Sequence, residues 1–306
     1  MRPKITILFL LLILLILRCE KNSASAEKQD DPPDAADSTM KYLGLNPPGF
    51  TPEVFAPGFI SINGSQVRES DINFWPDGLR CIFARFGDNI PDFTIFESRV
   101  VNGSWTQPEP SSLFSNGAFE PGISPDGKKI LFSPAGFVSH GEQYIHSIEQ
   151  EENGWSAPEV LFKGIYPSIT NDGTVYYTAL ISGKDHIAYR KYQNGAYQEQ
   201  IAVGANVFSE FEDAHPFISA DEDYLIFDSE DRPYINNCAL FISFRQQDST
   251  WSVPVNMGTQ IRIANASLAR VTPDGKYLFF KSSGEIYWAD AEIIDSFRNP
   301  SDLSAE

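Results

Sequence analysis

Asp71, Glu120, Tyr166, His215 and Leu268 each stand six positions ahead of one of five recurring aspartates, Asp77, Asp126, Asp172, Asp221 and Asp274. Four of these five positions are polar, whereas the apolar positions of the repeat are similar from copy to copy. Packing therefore constrains the framework, and something else constrains this one place. Two carboxylates, an imidazole and a phenol meeting there would offer oxygen and nitrogen donors to a cation or polar ligand, with Tyr166 as a stacking or hydrogen-bonding wall. Asp71 and Glu120 also have the residue types for general acid–base cleavage of a glycosidic bond, which needs carboxyl groups about 5 to 10 Å apart. A water-filled channel solvated by these side chains is the third reading.

Other chemistry is missing from the sequence. It has no Gly-x-Ser-x-Gly elbow, no His-Glu-x-x-His pair, no phosphate-cradling glycine loop and no dense calcium-loop spacing. Ser139-His140 is a bare dipeptide in a loop stretch, without the surrounding motif of a nucleophile and its base. The chain therefore reads as a non-enzymatic protein without cofactor or bound metal, with a glycan-active enzyme as the alternative. A net charge of −18 repels phosphate backbones and excludes nucleic acid as a partner, while leaving cationic partners open. Of the three cysteines, Cys81 and Cys238 follow Cys19 and are too few for a disulfide scaffold. Cys81 occupies a place where other copies carry Ile130, Leu225 and Leu278, so it reads as a small buried hydrophobe.

The elements that must position these residues come from an internal repeat. Ile123-Ser124-Pro125-Asp126-Gly127 and Val271-Thr272-Pro273-Asp274-Gly275 are its clearest copies, and the five aspartates are spaced 49, 46, 49 and 53 apart. Each copy reads as a strand closed by an apolar residue (Phe74, Ile123, Ile169, Ile218 or Val271), a tight turn that is Pro-Asp-Gly in three copies and Asn171-Asp172-Gly173 in the third, and a second buried strand. In the fourth copy Glu222 replaces the glycine. Asn102-Gly103, Asn153-Gly154 and Asn194-Gly195 then mark a hairpin, followed by Trp105, Trp155 or Tyr197. Trp-x-x-Pro elements ending at Pro108, Pro158 and Pro254 read as outer edge strands, and the tryptophans as blade packing.

A four-stranded unit repeated at this period is a β-propeller blade. The last unit stops after its third strand, Glu285 to Ala289, and Gly49 to Phe55 looks like the missing fourth. Pairing the two closes the ring and removes exposed sheet edges. The expectation is an all-β fold: one propeller of four-stranded antiparallel blades, five in number, with six as the alternative if a cryptic copy exists. The strand ahead of each Pro-Asp-Gly lies innermost, so Asp71, Glu120, Tyr166 and His215 approach one mouth of the central channel. Loops 86–91, 135–142 and 230–237 lie on that side, where Arg232 and Tyr234 are the residues most able to grip a partner.

Ahead of the propeller, Arg2 and Lys4 precede an apolar run from Ile5 to Leu17, the order of an export signal. Thirteen helical residues reach about 20 Å, short of the ~30 Å hydrocarbon core. Residues 1–18 thus read as signal peptide, 19–48 as a disordered tether poor in apolar residues, 49–298 as the propeller and 299–306 as a tail.

The repeats resemble the WD40-like, Pro-Asp-Gly type found in the propeller of the Tol-system translocation protein and in many exported bacterial proteins. Tyr42 to Gly58 and the ending Ile286-Tyr287-Trp288 to Ile294 resemble a subfamily of small envelope lipoproteins. Ile16-Leu17-Arg18-Cys19 resembles a lipobox, with Arg18 where a small residue is usual. These resemblances imply lipidation at Cys19 and attachment to the outer membrane facing the periplasm, with surface exposure or secretion as alternatives. They also imply a monomer whose propeller binds a protein or envelope polysaccharide.

Overall fold

Each Pro-Asp-Gly turn is built as its residue types demand. The computed structural model describes residues 38–62, 67–88, 90–135, 142–233, 235 and 237–298. In it Gly78, Gly127, Gly173 and Gly275 all take positive φ, between 72° and 85°. The aspartate bonds the backbone two residues ahead, as Leu79 N donates to Asp77 Oδ1 at 2.8 Å. Glu222 adopts the same left-handed conformation (φ 60°) without being glycine. Its carboxylate is held there by the Tyr176 hydroxyl at 2.8 Å and by Arg245 at 3.4 Å.

The strands assemble into five antiparallel blades. Blade one comprises Val67–Phe74, Arg80–Gly87, Ile90–Val101 and Glu109–Pro110; blade two comprises Ala118–Ile123, Lys129–Pro134, Tyr144–Glu151 and Glu159–Lys163. Blade three has Ile165–Ile169, Val175–Ile181, Lys184–Arg190 and Ile201–Ala202, and blade four Asp213–Ile218, Tyr224–Ser229, Ala239–Phe244 and Val255–Asn256. Blade five combines Ser267–Val271, Tyr277–Ser282 and Glu285–Asp290 with the N-terminal Glu53–Val54. The expected ring closure is present: Glu53 pairs with Trp288 and Val54 with Tyr287.

Two details depart from the sequence reading. The outer strands begin after Pro108, Pro158 and Pro254, whereas Ser104–Trp105 and Gly154–Trp155 fold back on the third strand as short hairpins. A proline without an N–H breaks the ladder between the two pieces. Residues 38–44, assigned from sequence to the tether, pack on the ring. Tyr42 is buried, donates its backbone N–H to the Gly78 carbonyl at 2.9 Å, and meets Phe74 and Tyr277 edge-on at 5.0 Å. One large aromatic in a polar segment was enough to bury it. Residues 1–37, with Cys19, the signal and the first part of the tether, lie outside the described residues.

The core is divided into five apolar clusters, one at each junction between blades. Cys81 is buried in the junction of blades five and one, and that burial pushes its thiol well above the usual range. Trp105, Trp155 and Trp251 pack into these clusters as expected.

Near the axis the blades approach closely. A Cβ on Gly122 would stand 2.4 Å from the carbonyl oxygen of Pro167 in the next inner strand. Gly122→Ala is therefore expected to cost at least ~2 kcal/mol in urea unfolding, since backbone cannot yield as a side chain can. A loss under ~0.5 kcal/mol would contradict that packing.

Candidate functional site at the channel

All five inner strands carry a β-bulge at the same place, and the residue it expels is the one singled out by sequence. Register shifts fall between Ser70 and Asn73, Phe119 and Gly122, Ile165 and Ser168, Ala214 and Phe217, and Ser267 and Arg270. Within those gaps Asp71, Glu120, Tyr166, His215 and Leu268 all take left-handed φ, between 50° and 58°. Each such non-glycine residue costs about 1–3 kcal/mol locally, so the surrounding strands must impose it. A bulge re-aims its side chain, and here four polar ones converge.

The geometry of the cluster is specific. The His215 ring lies 4.1 Å from the Tyr166 ring, centroid to centroid, and its Nε2 is 3.7 Å from Glu120 Oε2. Its Nδ1–H donates to Asp228 Oδ1 at 2.8 Å and faces Oδ2 at 3.0 Å. Asp228 Oδ2 in turn accepts the Leu268 N–H at 2.9 Å, and Thr178 Oγ1 accepts that of His215 at 3.1 Å. Asp71 pairs with Arg270 Nη2 at 3.4 Å, both side chains being almost fully buried. Asp71 Oδ2, Glu120 Oε2 and Arg270 Nη2 are buried without a hydrogen-bond partner.

Asp228 and Arg270 were missed by sequence reasoning. Their signal was available in part: Asp228 follows its repeat aspartate by seven, where Ala84, Ser133, Ala179 and Lys281 stand in other blades, and Arg270 occupies the place of Asn73, Gly122, Ser168 and Phe217. Arg270 is the one charge in its column, and Asp228 shares its column with the charged Lys281.

Arg232 is positioned differently. Its guanidinium forks onto Asp213 at 2.8 and 2.7 Å, donates to the Val207 carbonyl at 3.0 Å and lies over Phe227 and Phe241. These contacts turn it into the blade, so it braces the loop rather than joining the channel cluster. Tyr234 lies outside the described residues.

Burial raises the Glu120 carboxyl to about 8, with His215 opposing the shift. For His215 burial alone would lower the imidazole, but Asp228 and Glu120 outweigh it and raise it to about 9. Burial likewise raises Asp71, against Arg270. Folded Glu120 and His215 thus bind protons more tightly than the unfolded chain. Their contribution to stability is full at low pH and lost as pH rises, from 4.5 to about 8 for Glu120 and from 6.5 to about 9 for His215. The melting temperature is expected to fall over the second window, with a shallower fall in His215→Gln. Equal slopes in both proteins would contradict the coupling.

The other end of the channel, ringed by the Pro-Asp-Gly turns, holds a cavity of about 380 Å³ lined by Phe74, Ile123, Ile169, Phe217, Arg270 and Val271 among others. Among the described residues no cluster of His, Cys, Asp and Glu has metal-binding geometry, and no helix is long and apolar enough to cross a membrane.

No protein-family model matches the chain, and no curated protein matches it. Solved structures do. TolB from Acinetobacter baumannii is 16% identical with a TM-score of 0.48, over 72% of this chain and 54% of that one. The chain thus spans about half the length of that TolB. A gluconolactonase from Xanthomonas campestris is 12% identical with a TM-score of 0.46, over 71% and 70% of the two chains. BT0996, solved as an RGII complex, is 9% identical with a TM-score of 0.51, over 76% and 89%. At these identities the likeness is one of fold, and the fold is a five-bladed β-propeller.

Proposed function

We propose that this is a non-enzymatic cell-envelope protein, exported by its N-terminal signal, anchored through lipid on Cys19, and binding a protein or envelope polymer at the bulge-lined end of its channel. The observation that carries this reading is the fivefold bulge, which spends backbone strain in every blade to gather Glu120, Tyr166 and His215 at one opening. Arg270 on Asp71, and His215 between Glu120 and Asp228, tie the acids into an internal ion network. That arrangement supports recognition by a rigid surface more than acid–base work across a scissile bond. The outer-membrane, periplasm-facing address follows from the sequence resemblances.

Crosslinking in intact envelope with the full chain is expected to capture a defined partner, and polysaccharides incubated with the protein are expected to stay intact. Turnover of a cell-wall or plant glycan, lost in Glu120→Ala, would overturn the non-enzymatic reading.

A further inference from the structure

We infer that the group recognised at this end of the channel is a basic side chain, a lysine above all, presented by a protein segment. The inference rests on the binding reading above and names its chemistry. Three carboxylates, Asp71, Glu120 and Asp228, gather here: Arg270 pairs with Asp71 and His215 with Asp228, Lys281 adds its charge near Asp71, and Glu120 shares the His215 imidazole at 3.7 Å rather than having a cation of its own. Asp71 Oδ2 and Glu120 Oε2 are acceptors without donors, and the Asp71 side chain has no exposure at all. In the free protein burial favours a proton on Glu120, and an arriving ammonium would release that proton to solvent.

The walls suit the rest of such a side chain. Phe93, Phe119, Tyr166 and His215 form a half-buried aromatic row with successive centroids 5.3, 6.0 and 4.1 Å apart. Aromatic faces attract an ammonium and cover its methylene stem. The Glu120 and His215 side chains keep 13% and 20% exposure, which leaves the row open to the mouth. Around that mouth, loops between second and third strands and between consecutive blades bring exposed Asp88, Glu210, Glu212 and Glu230 to the same face. Nearby Lys184 donates to the Glu210 carbonyl, and Arg232 is turned inward on Asp213. The face therefore complements a basic partner, whose approach it would steer.

The test is NMR on the full-length chain, titrated with acetyl-Gly-Ser-Gly-Lys-Gly-Ser-amide, its norleucine counterpart and a glucosamine tetramer. Four histidines make the His215 resonances assignable by substitution. The lysine peptide is expected to shift His215 and Tyr166 and to bind about ten-fold more tightly than the norleucine peptide, with that preference lost in Glu120→Gln. Equal binding of both peptides, no shift with either, or shifts remote from His215 would overturn the inference. Tighter binding of the amino-sugar would also overturn it, in favour of a polymer. Crosslinked capture of a partner despite any of these results would leave the binding reading standing and remove only the lysine.

Discussion

Phe55→Ala is expected to lower the unfolding free energy by about 3–5 kcal/mol, the cost of removing a fully buried aromatic from a packed core. Phe55 has no exposure and meets Phe279, Trp288 and Phe74 edge-on at 4.9, 5.1 and 6.0 Å. Its position makes the loss more than local. It follows directly on the strand Glu53–Val54, and its N–H bonds the Ile286 carbonyl at 2.8 Å, while Asp290 N bonds Gly49 O at 2.7 Å. Removing the ring loosens the seam where Glu53–Val54 is zipped to the last strand of blade five. A lone edge of blade five would then be exposed to pairing with other chains. Denaturant unfolding measures the loss, and light scattering near the transition should show added association. A variant as stable as the parent would contradict closure through this strand.

Asp71→Ala is expected to cost about 3–5 kcal/mol as well, for an electrostatic reason, and more than Arg270→Met. The asymmetry follows from which partner can shed its charge. Without Asp71, the Arg270 guanidinium stays ionised with only the Pro216 and Ala269 carbonyls, at 3.4 and 3.1 Å, to accept from it. Without Arg270, the Asp71 carboxyl, already pushed upward by burial, takes a proton and becomes neutral. The double variant Asp71→Ala/Arg270→Met should recover much of the loss, because the uncompensated charge is gone. Unfolding of all three variants forms a thermodynamic cycle that reads the coupling directly. Strictly additive losses would show that the pair does not interact.

Much of this was legible in the residues. The Pro-Asp-Gly turns, the alternating apolar strands and the orphan segment ending at Phe55 depend on local chemistry and repetition, and both survive in sequence. The convergence of Asp71, Glu120, Tyr166 and His215 was legible too, because a column polar in four copies of five contrasts with the apolar positions that recur from copy to copy. What sequence could not display was the backbone device that aims them. A bulge at an Asp, Glu, Tyr, His or Leu carries no glycine to announce it, since the strain is imposed by flanking strands rather than by the residue. Asp228 and Arg270 were hidden for a related reason: neither belongs to a recurring polar column, since Arg270 is the one charge in its own and Asp228 stands opposite in sign to Lys281 in its own. Arg232 shows the opposite error of scale. A loop arginine reads as a gripping residue until a buried Asp213 is found beside it.

The most direct test of the channel end as the binding site is crosslinked capture from intact envelope by the full-length chain beside Glu120→Gln/His215→Gln. This pair of changes leaves the Asp71–Arg270 ion pair in place, and matched melting curves would show that the ring is intact. A partner held by the parent and lost from the variant is the predicted result. The same partner captured equally by both would contradict the account and move the site to another face of the propeller.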